Sequence, residues 1–336
     1  MKEVAVLGAG SWGTALAMVL ADNGHKVSLW ARRKELVEEI NQRRTNEHYL
    51  PNIKISENIV ASCELKEVVK DKDIILIVVP TKAIRSVCKE VNNYMTKKAT
   101  IIHASKGIEL ETYKRISEMI EEEIDAKKRE AVVVLSGPSH AEEVVKREPT
   151  SVTVSSLNLY AAKFAQQLFM NHYFRVYTNA DIIGVEMGGA LKNIIALAAG
   201  LTNGLGYGDN AKAALMTRGL AEMTRLGKKL GANPLTFSGL SGLGDLIVTC
   251  TSVHSRNWRA GHMIGKGHDP KEVAKNMGMV VEGIRTTEAV YHLAKKLNVE
   301  MPITSQLYAV LFERKDPREA VFELMSRVGK EEILDA

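Results

Sequence analysis

Short continuous apolar runs alternate with amphipathic stretches through the first half of the chain. Val4–Leu7, Val27–Trp30, Asp73–Val79, Thr100–His103 and Ala131–Leu135 have no regular polar alternation. That pattern predicts strands buried on both faces, as in a parallel sheet. Val152–Ser155 and Phe174–Tyr177 predict two shorter strands. Thr14–Asn23 and Lys34–Arg44, the latter with Leu36, Val37 and Ile40 on one side, predict intervening helices. From Asp181 onward, Gly184–Ala199, Ala211–Leu230, Val281–Leu297 and Ser305–Phe312 show apolar groups at helical spacing, and no convincing strand pattern follows. The expected architecture is an α/β N-terminal domain with a parallel-rich sheet, residues 1–180, then an all-α C-terminal domain, residues 181–336.

The first predicted strand runs into Gly8-Ala9-Gly10-Ser11-Trp12-Gly13 and a helix. In a strand–turn–helix–strand setting this GxGxxG spacing is a dinucleotide-binding signal, and it makes the N-terminal domain Rossmann-like. Gly8 permits the tight turn, Gly10 lets a pyrophosphate reach the backbone, and Gly13 lets helix and strand pack closely. The phosphate then meets the positive end of the helix. Where an NAD-selective site carries an acid after the second strand, this chain has Arg32-Arg33. Two guanidinium groups there suit the 2′-phosphate of NADP, without excluding NAD. The expected cofactor is NADP or NAD, in reduced form NADPH or NADH.

Composition narrows the partners. The 336 residues carry 45 basic and 40 acidic side chains, a net charge of +5 that is too small to argue for nucleic acid, and no dense basic run interleaves aromatics. Cys63, Cys88 and Cys250 lie far apart, which suits a reducing compartment. His254, His262 and His268 match no ligand spacing, so no metal site is expected. Ile194–Leu201 and similar apolar stretches fall short of a membrane span, and the chain enters a strand too early for a signal peptide. A cytoplasmic protein with a small phosphorylated ligand, and without stable membrane insertion, is expected.

Lys192 is the leading catalytic candidate. It stands in Gly188-Gly189-Ala190-Leu191-Lys192-Asn193, where glycine one turn back leaves a helix face open to substrate or to neighbouring backbone. A lysine of lowered pKa can protonate a developing alkoxide; a lysine snorkelling from an interior helix is the plainer alternative. Lys106, after a predicted strand, can pair with phosphate or depress the pKa of Lys192. Ser139-His140-Ala141-Glu142 matches a capping box beside Gly137. Asp245 closes a glycine-rich loop and reads either as a helix N-cap or as an acceptor for a substrate hydroxyl. Ser255-Arg256-Asn257 has the make-up of a phosphate clamp at a helix start, or of a capping serine followed by a surface arginine. Glu282, before another helix, can reach a cofactor ribose or simply start the helix.

Seven of these segments stand together in order: GAGSWGTALA from Gly8, SKG from Ser105, SGPSHAEEV from Ser136, LKN from Leu191, SGLGD from Ser241, SRN from Ser255 and VEG from Val281. In that order over nearly the whole chain, they resemble the bacterial NAD(P)-dependent glycerol-3-phosphate dehydrogenases of the soluble biosynthetic type. The resemblance implies interconversion of dihydroxyacetone phosphate and sn-glycerol 3-phosphate for glycerophospholipid synthesis. It implies Lys192 as proton donor and acceptor, and Lys106, Gly137, Ser139, Asp245, Ser255, Arg256 and Asn257 as substrate contacts. Besides the glycine turn, it implies cofactor contacts from Ser11, Trp12, Arg32, Arg33, Lys106, Ala141, Arg256, Val280 and Glu282. A homodimer is expected on the same ground alone. The alternatives are a β-hydroxyacid or 6-phosphogluconate-type dehydrogenase, which also uses a helical-domain lysine and asparagine, and a non-catalytic NADP sensor. The SRN group and the SGLGD loop favour the glycerol phosphate reading over the first, and the sensor leaves Lys106, Lys192 and Asp245 unexplained.

Overall fold

A computed structural model describes residues 1–277, 280–329 and 331–332. The chain divides into two compact units: Met1–Ser105 with Ile116–Ile182, and Lys106–Arg115 with Ile183–Ala336. The excursion at 106–115, which falls inside the expected N-terminal domain, groups with the second unit. Apolar periodicity carries no mark of it.

The first unit is an eight-stranded sheet: β1 (Glu3–Leu7), β2 (Lys26–Trp30), β3 (Ile59–Ser62), β4 (Ile74–Ile77), β5 (Ala99–His103), β6 (Arg129–Ser136), β7 (Thr150–Ser155) and β8 (Phe174–Asn179). Their order is β3-β2-β1-β4-β5-β6-β7-β8. All neighbours run parallel except β6 and β7. Every residue of β4 and β5 is buried, because helices cover both faces. The apolar pattern did not predict β3, which has only four residues and an exposed Val60.

Seven helices accompany the sheet: α1 (Ser11–Asp22), α2 (Lys34–Glu38), α3 (Leu65–Val69), α4 (Ile84–Tyr94), α5 (Ile116–Glu123), α6 (Ala141–Val144) and α7 (Leu159–Phe169). α2 continues as a π-helical turn, Glu39–Arg43, and stops at Arg44 in the left-handed region. The strand order reverses between β1 and β4, and α1 starts at the carboxyl end of β1. A doubly wound sheet binds its ligand at that switch point.

The second unit is helical: α8 (Ile182–Gly204), α9 (Asp209–Lys229), α10 (Asp245–Thr251), α11 (Arg256–Gly265), α12 (Pro270–Asn276), α13 (Glu282–Leu297), α14 (Pro302–Phe312) and α15 (Pro317–Met325). Its axis is α8. At 23 residues and mean hydropathy 1.5, α8 is long and apolar enough to cross a membrane, which corrects the expectation that no stretch reaches that length. The cause of its apolarity is visible: 94% of its most apolar window is buried within the fold, as in the core helix of a globular unit.

α8 and α11 cross backbone to backbone. A Cβ at Gly200 or Gly204 would overlap the carbonyls of Trp258 or His262, and one at Gly261 or Gly265 would overlap those of Leu197 or Leu201. Only paired glycines allow this approach, and it fixes the start of α11 relative to the middle of α8.

Candidate active site

In the first unit the β1–α1 turn has the shape that the glycine spacing demands. Gly8 lies at φ +120°, a conformation that side chains rarely adopt. A Cβ there would strike the Val78 carbonyl, and one on Gly13 would strike the carbonyl of Gly8. A Cβ on Gly10 would meet nothing within 4 Å. The turn is thus closed on the protein side and open at Gly10, and α1 begins without a side-chain cap or an acidic residue in its first turn. Exposed backbone donors at a helix start are what a pyrophosphate needs. Trp12 Nε1 is buried with no hydrogen-bond partner among the described residues. The residues present fit a dinucleotide.

Two supports of this turn were not read from the sequence. Fully buried Asn46 donates from Nδ2 to the Ala9 carbonyl at 3.1 Å and to Thr14 Oγ1 at 2.9 Å, pinning the loop from behind. Ser11 Oγ donates to the Tyr49 carbonyl at 3.0 Å. Arg33 stands over the Tyr49 ring, 5.6 Å from its centroid, and Arg32 beside it is exposed. The sequence carries no signal for Asn46, which stands in the polar run Arg43–His48; its role rests on a burial that only the structure shows.

The Ser136–Glu142 segment departs from expectation. Ser139 does not cap a helix. Its hydroxyl donates to the Gly137 carbonyl at 2.9 Å, and α6 starts one residue later with His140 at the N-cap position. The capping-box motif matched in sequence, but the extended backbone enters the helix too late for Ser139 to reach it. Gly137 has φ +141°, and a Cβ there would come within 3.0 Å of the Val152 Cα. Ala141 is buried in the same core cluster as α1.

In the second unit Lys192, Asp245 and Lys106 come together. Lys192 Nζ donates to Asp245 Oδ1 at 2.6 Å and to Thr249 Oγ1 at 2.7 Å. Lys106 Nζ donates to Asp245 Oδ2 at 2.5 Å. Asp245 is therefore no N-cap: it is the first residue of α10, and its carboxylate is spent on two ammonium groups. Burial pushes Lys192 down to about 8; Asp245 opposes the shift and the charge of Lys106 adds to it. Burial alone would raise Asp245, yet Lys106 and Lys192 hold it below the ordinary aspartate range. One carboxylate between two ammonium groups leaves a net positive charge beneath the surface. Thr249 was missed in the sequence, although it follows Asp245 by four residues on one helix face and donates to the Asp245 carbonyl at 2.6 Å.

A second cluster lies at the start of α11. Ser255 Oγ caps the helix by accepting from the Trp258 N–H at 3.2 Å, so the capping reading of Ser255 holds. Arg256 Nη1 donates to the Val280 carbonyl at 3.3 Å. Asn257 is largely committed to the fold: Nδ2 donates to Asn193 Oδ1 at 2.9 Å, and Oδ1 accepts from the Gly283 N–H at 2.9 Å. It braces α8, α11 and the start of α13 around the residue next to Lys192. Glu282 opens α13, where its carbonyl accepts from Thr286 Oγ1 at 2.8 Å. Of the three histidines considered for metal, His262 stacks on Trp258 and meets Asn203 Oδ1 through Nδ1 at 2.9 Å.

A glycine turn that fits a dinucleotide and a buried lysine of lowered pKa are parts with which a dehydrogenase can work, and the chain is of that class. Models of the N- and C-terminal parts of NAD-dependent glycerol-3-phosphate dehydrogenase match residues 3–162 and 181–322. A protein of Halalkalibacterium halodurans named glycerol-3-phosphate dehydrogenase (NAD(P)+) is 67% identical over 333 residues, 99% of this chain and 96% of that one. A Bacillus pumilus protein of the same name is 62% identical over 100% of this chain and 97% of its own. The crystal structure of glycerol-3-phosphate dehydrogenase from Coxiella burnetii superposes with a TM-score of 0.92 at 42% identity, covering 97% of this chain and 99% of that one. The chain belongs to the NAD-dependent glycerol-3-phosphate dehydrogenase family. The matches give no support to the β-hydroxyacid or 6-phosphogluconate-type alternative.

Proposed function

We propose that this chain catalyses the reversible reduction of dihydroxyacetone phosphate to sn-glycerol 3-phosphate with NADPH or NADH, for glycerophospholipid synthesis. The observation that carries the reading is the buried Lys192–Asp245–Lys106 cluster, in a chain closely similar to enzymes of that name.

When bound, the nicotinamide supplies the hydride that adds to the C2 carbonyl carbon. Lys192 gives an Nζ proton to the carbonyl oxygen as negative charge builds there, and in the oxidation its neutral amine takes the proton back. A pKa near 8 lets it do both close to neutral pH. Asp245 orients both ammonium groups, and the net positive charge of the cluster favours the developing oxyanion. Lys106 provides a second donor to the substrate. The N-terminus of α11, with Ser255 and Arg256, anchors the phosphate, and Asn257 holds that anchor against Asn193. Binding energy from the remote phosphate then positions the carbonyl. Gly137 and Ser139 are further proposed substrate contacts. Gly8, Gly10, Ser11, Trp12 and Gly13 cradle the dinucleotide, with Ala141 beside them in the fold and Arg32 and Arg33 available to a 2′-phosphate. Arg256, Val280 and Glu282 are further proposed cofactor contacts. The three free thiols accord with a cytoplasmic enzyme, and a homodimer is the expected assembly.

The test follows nucleotide absorbance as purified protein meets dihydroxyacetone phosphate, with NADPH and NADH in parallel. Oxidation of either supports the reading, and a fall in the NADPH-to-NADH efficiency ratio on replacing Arg32 and Arg33 by alanine supports their role. Tight nucleotide binding without turnover overturns it.

A further inference from the structure

We propose that Arg115 and Glu186 form a positioning pair for Lys106: they fix the far end of the 106–115 loop on α8, and so set where the Lys106 ammonium stands on Asp245. This rests on the function proposed above.

The loop belongs with the helical unit, although the chain on both sides of it belongs to the sheet unit. It keeps its place through its own contacts, and these form a short closed device. Ile108 pairs with Arg115 as an antiparallel bridge. The Glu109 N–H donates to the Lys114 carbonyl at 3.0 Å, and the Tyr113 N–H to the Glu109 carbonyl at 2.9 Å. Tyr113 turns the chain at φ 61°, and Thr112 Oγ1 donates to the Glu109 carboxylate. The closed loop brings Arg115 opposite Ile108, two residues from Lys106, so holding one end holds the other.

Two kinds of anchor act on it. Ile108 is buried in the helical core with Met187 and Leu191, and Lys296 lies over the Tyr113 ring at 5.8 Å. The apolar packing of Ile108 is non-directional, and a cation–π contact at that distance is weak, so together they permit sliding. The ion pair does not: Arg115 Nη1 stands 2.5 Å from Glu186 Oε2, and the glutamate side chain is only 3% exposed. A charge-assisted bond from a planar guanidinium to a buried carboxylate has a narrow geometry.

The location of Glu186 gives the pair its purpose. It lies on α8, six residues before Lys192, a rise of about 9 Å along one continuous helix. The same rigid element therefore carries the proton donor and the anchor of the loop that delivers Lys106. The separation between the two ammonium groups on Asp245 is referenced to one helix and is insensitive to movement elsewhere in the loop.

A double-mutant cycle tests this. Arg115→Ala should lower kcat/KM for dihydroxyacetone phosphate by about 10- to 100-fold. In a Lys106→Ala background the same change should alter kcat/KM by less than about twofold, because the residue it acts through is already gone. Arg115→Lys, which keeps a cation beside Glu186, should recover part of the loss, and it takes the place of Arg115→Ala in the cycle if the alanine variant does not fold. Equal factors in both backgrounds, or an Arg115→Ala variant as active as the parent, would overturn the inference. An inactive parent protein would instead overturn the function on which it rests.

Discussion

Lys192 Nζ stands 2.6 Å from Asp245 Oδ1, on α8 and α10 respectively, and both side chains are buried. The pair is not neutral in effect, because Lys106 holds the other carboxylate oxygen. Burial wins over the attraction of Asp245 and brings Lys192 to about 8 from an ordinary lysine value of 10.5. In the mechanism proposed above, reduction of the carbonyl uses the ammonium form, so its rate should fall as pH rises through about 8. The oxidation uses the free amine and should rise over the same interval. Initial rates in both directions from pH 6 to 10 check this, and parallel profiles would sink the assignment of Lys192.

Asp245→Asn should shift those profiles in a definite direction. The carboxylate favours the charged form of Lys192, and removing it leaves burial and Lys106 unopposed. The alkaline limit of the reduction should therefore move to lower pH, with turnover reduced by at least about tenfold because neither ammonium keeps its orientation. A limit displaced upward would show that Asp245 does not act on Lys192 by charge.

The strands buried on both faces, the glycine turn and the lysine-bearing helix were legible because each is a local pattern with one physical cause. Gly8 and Gly13 announce a turn that no side chain can make, and Ile74–Ile77 announces a strand with no polar face. What was illegible depends on partners distant in sequence. Arg115 and Glu186 are 71 residues apart, and nothing near either marks the other. The capping-box spacing at Ser139 was present, but the backbone path into α6 decided otherwise. The glycines at 200, 204, 261 and 265 fall between these cases. Each pair has the four-residue spacing that exposes a bare helix face, while their mutual contact needed the structure.

That contact carries its own prediction. A methyl group at Gly261 would overlap the Leu197 carbonyl and lie 2.8 Å from the Leu201 nitrogen, both backbone atoms of α8 that cannot rotate away. Gly261→Ala should destabilise the protein by about 1–3 kcal/mol and displace the start of α11. The KM for dihydroxyacetone phosphate should rise more than the KM for the nucleotide, because the proposed phosphate anchor at Ser255 moves with that helix while the glycine turn proposed to hold the nucleotide does not. Thermal unfolding and steady-state kinetics read the two effects, and an unchanged melting temperature would mean that the crossing is looser than the contacts indicate.

Glu222 offers a test of stability that leaves the active site alone. It projects from α9 and caps α14, whose N-cap residue Met301 supplies no polar side chain. Its carboxylate accepts from the Ile303 N–H at 2.5 Å, and from the Thr304 N–H at 3.2 Å and Thr304 Oγ1 at 3.1 Å. Burial nevertheless outweighs these donors and raises its pKa to about 7, from an ordinary 4.5. The folded state thus binds this proton more tightly than the unfolded chain. The resulting stabilisation is full below about pH 4.5 and is lost as pH rises through 7; by linkage it amounts to about 3 kcal/mol. Glu222→Gln keeps an acceptor for the helix end and cannot ionise. The melting temperature of the parent minus that of the variant should therefore fall steadily between pH 5 and 8. A difference that stays flat or grows with pH would mean that Glu222 is already ionised in the fold, held so by the amides of α14.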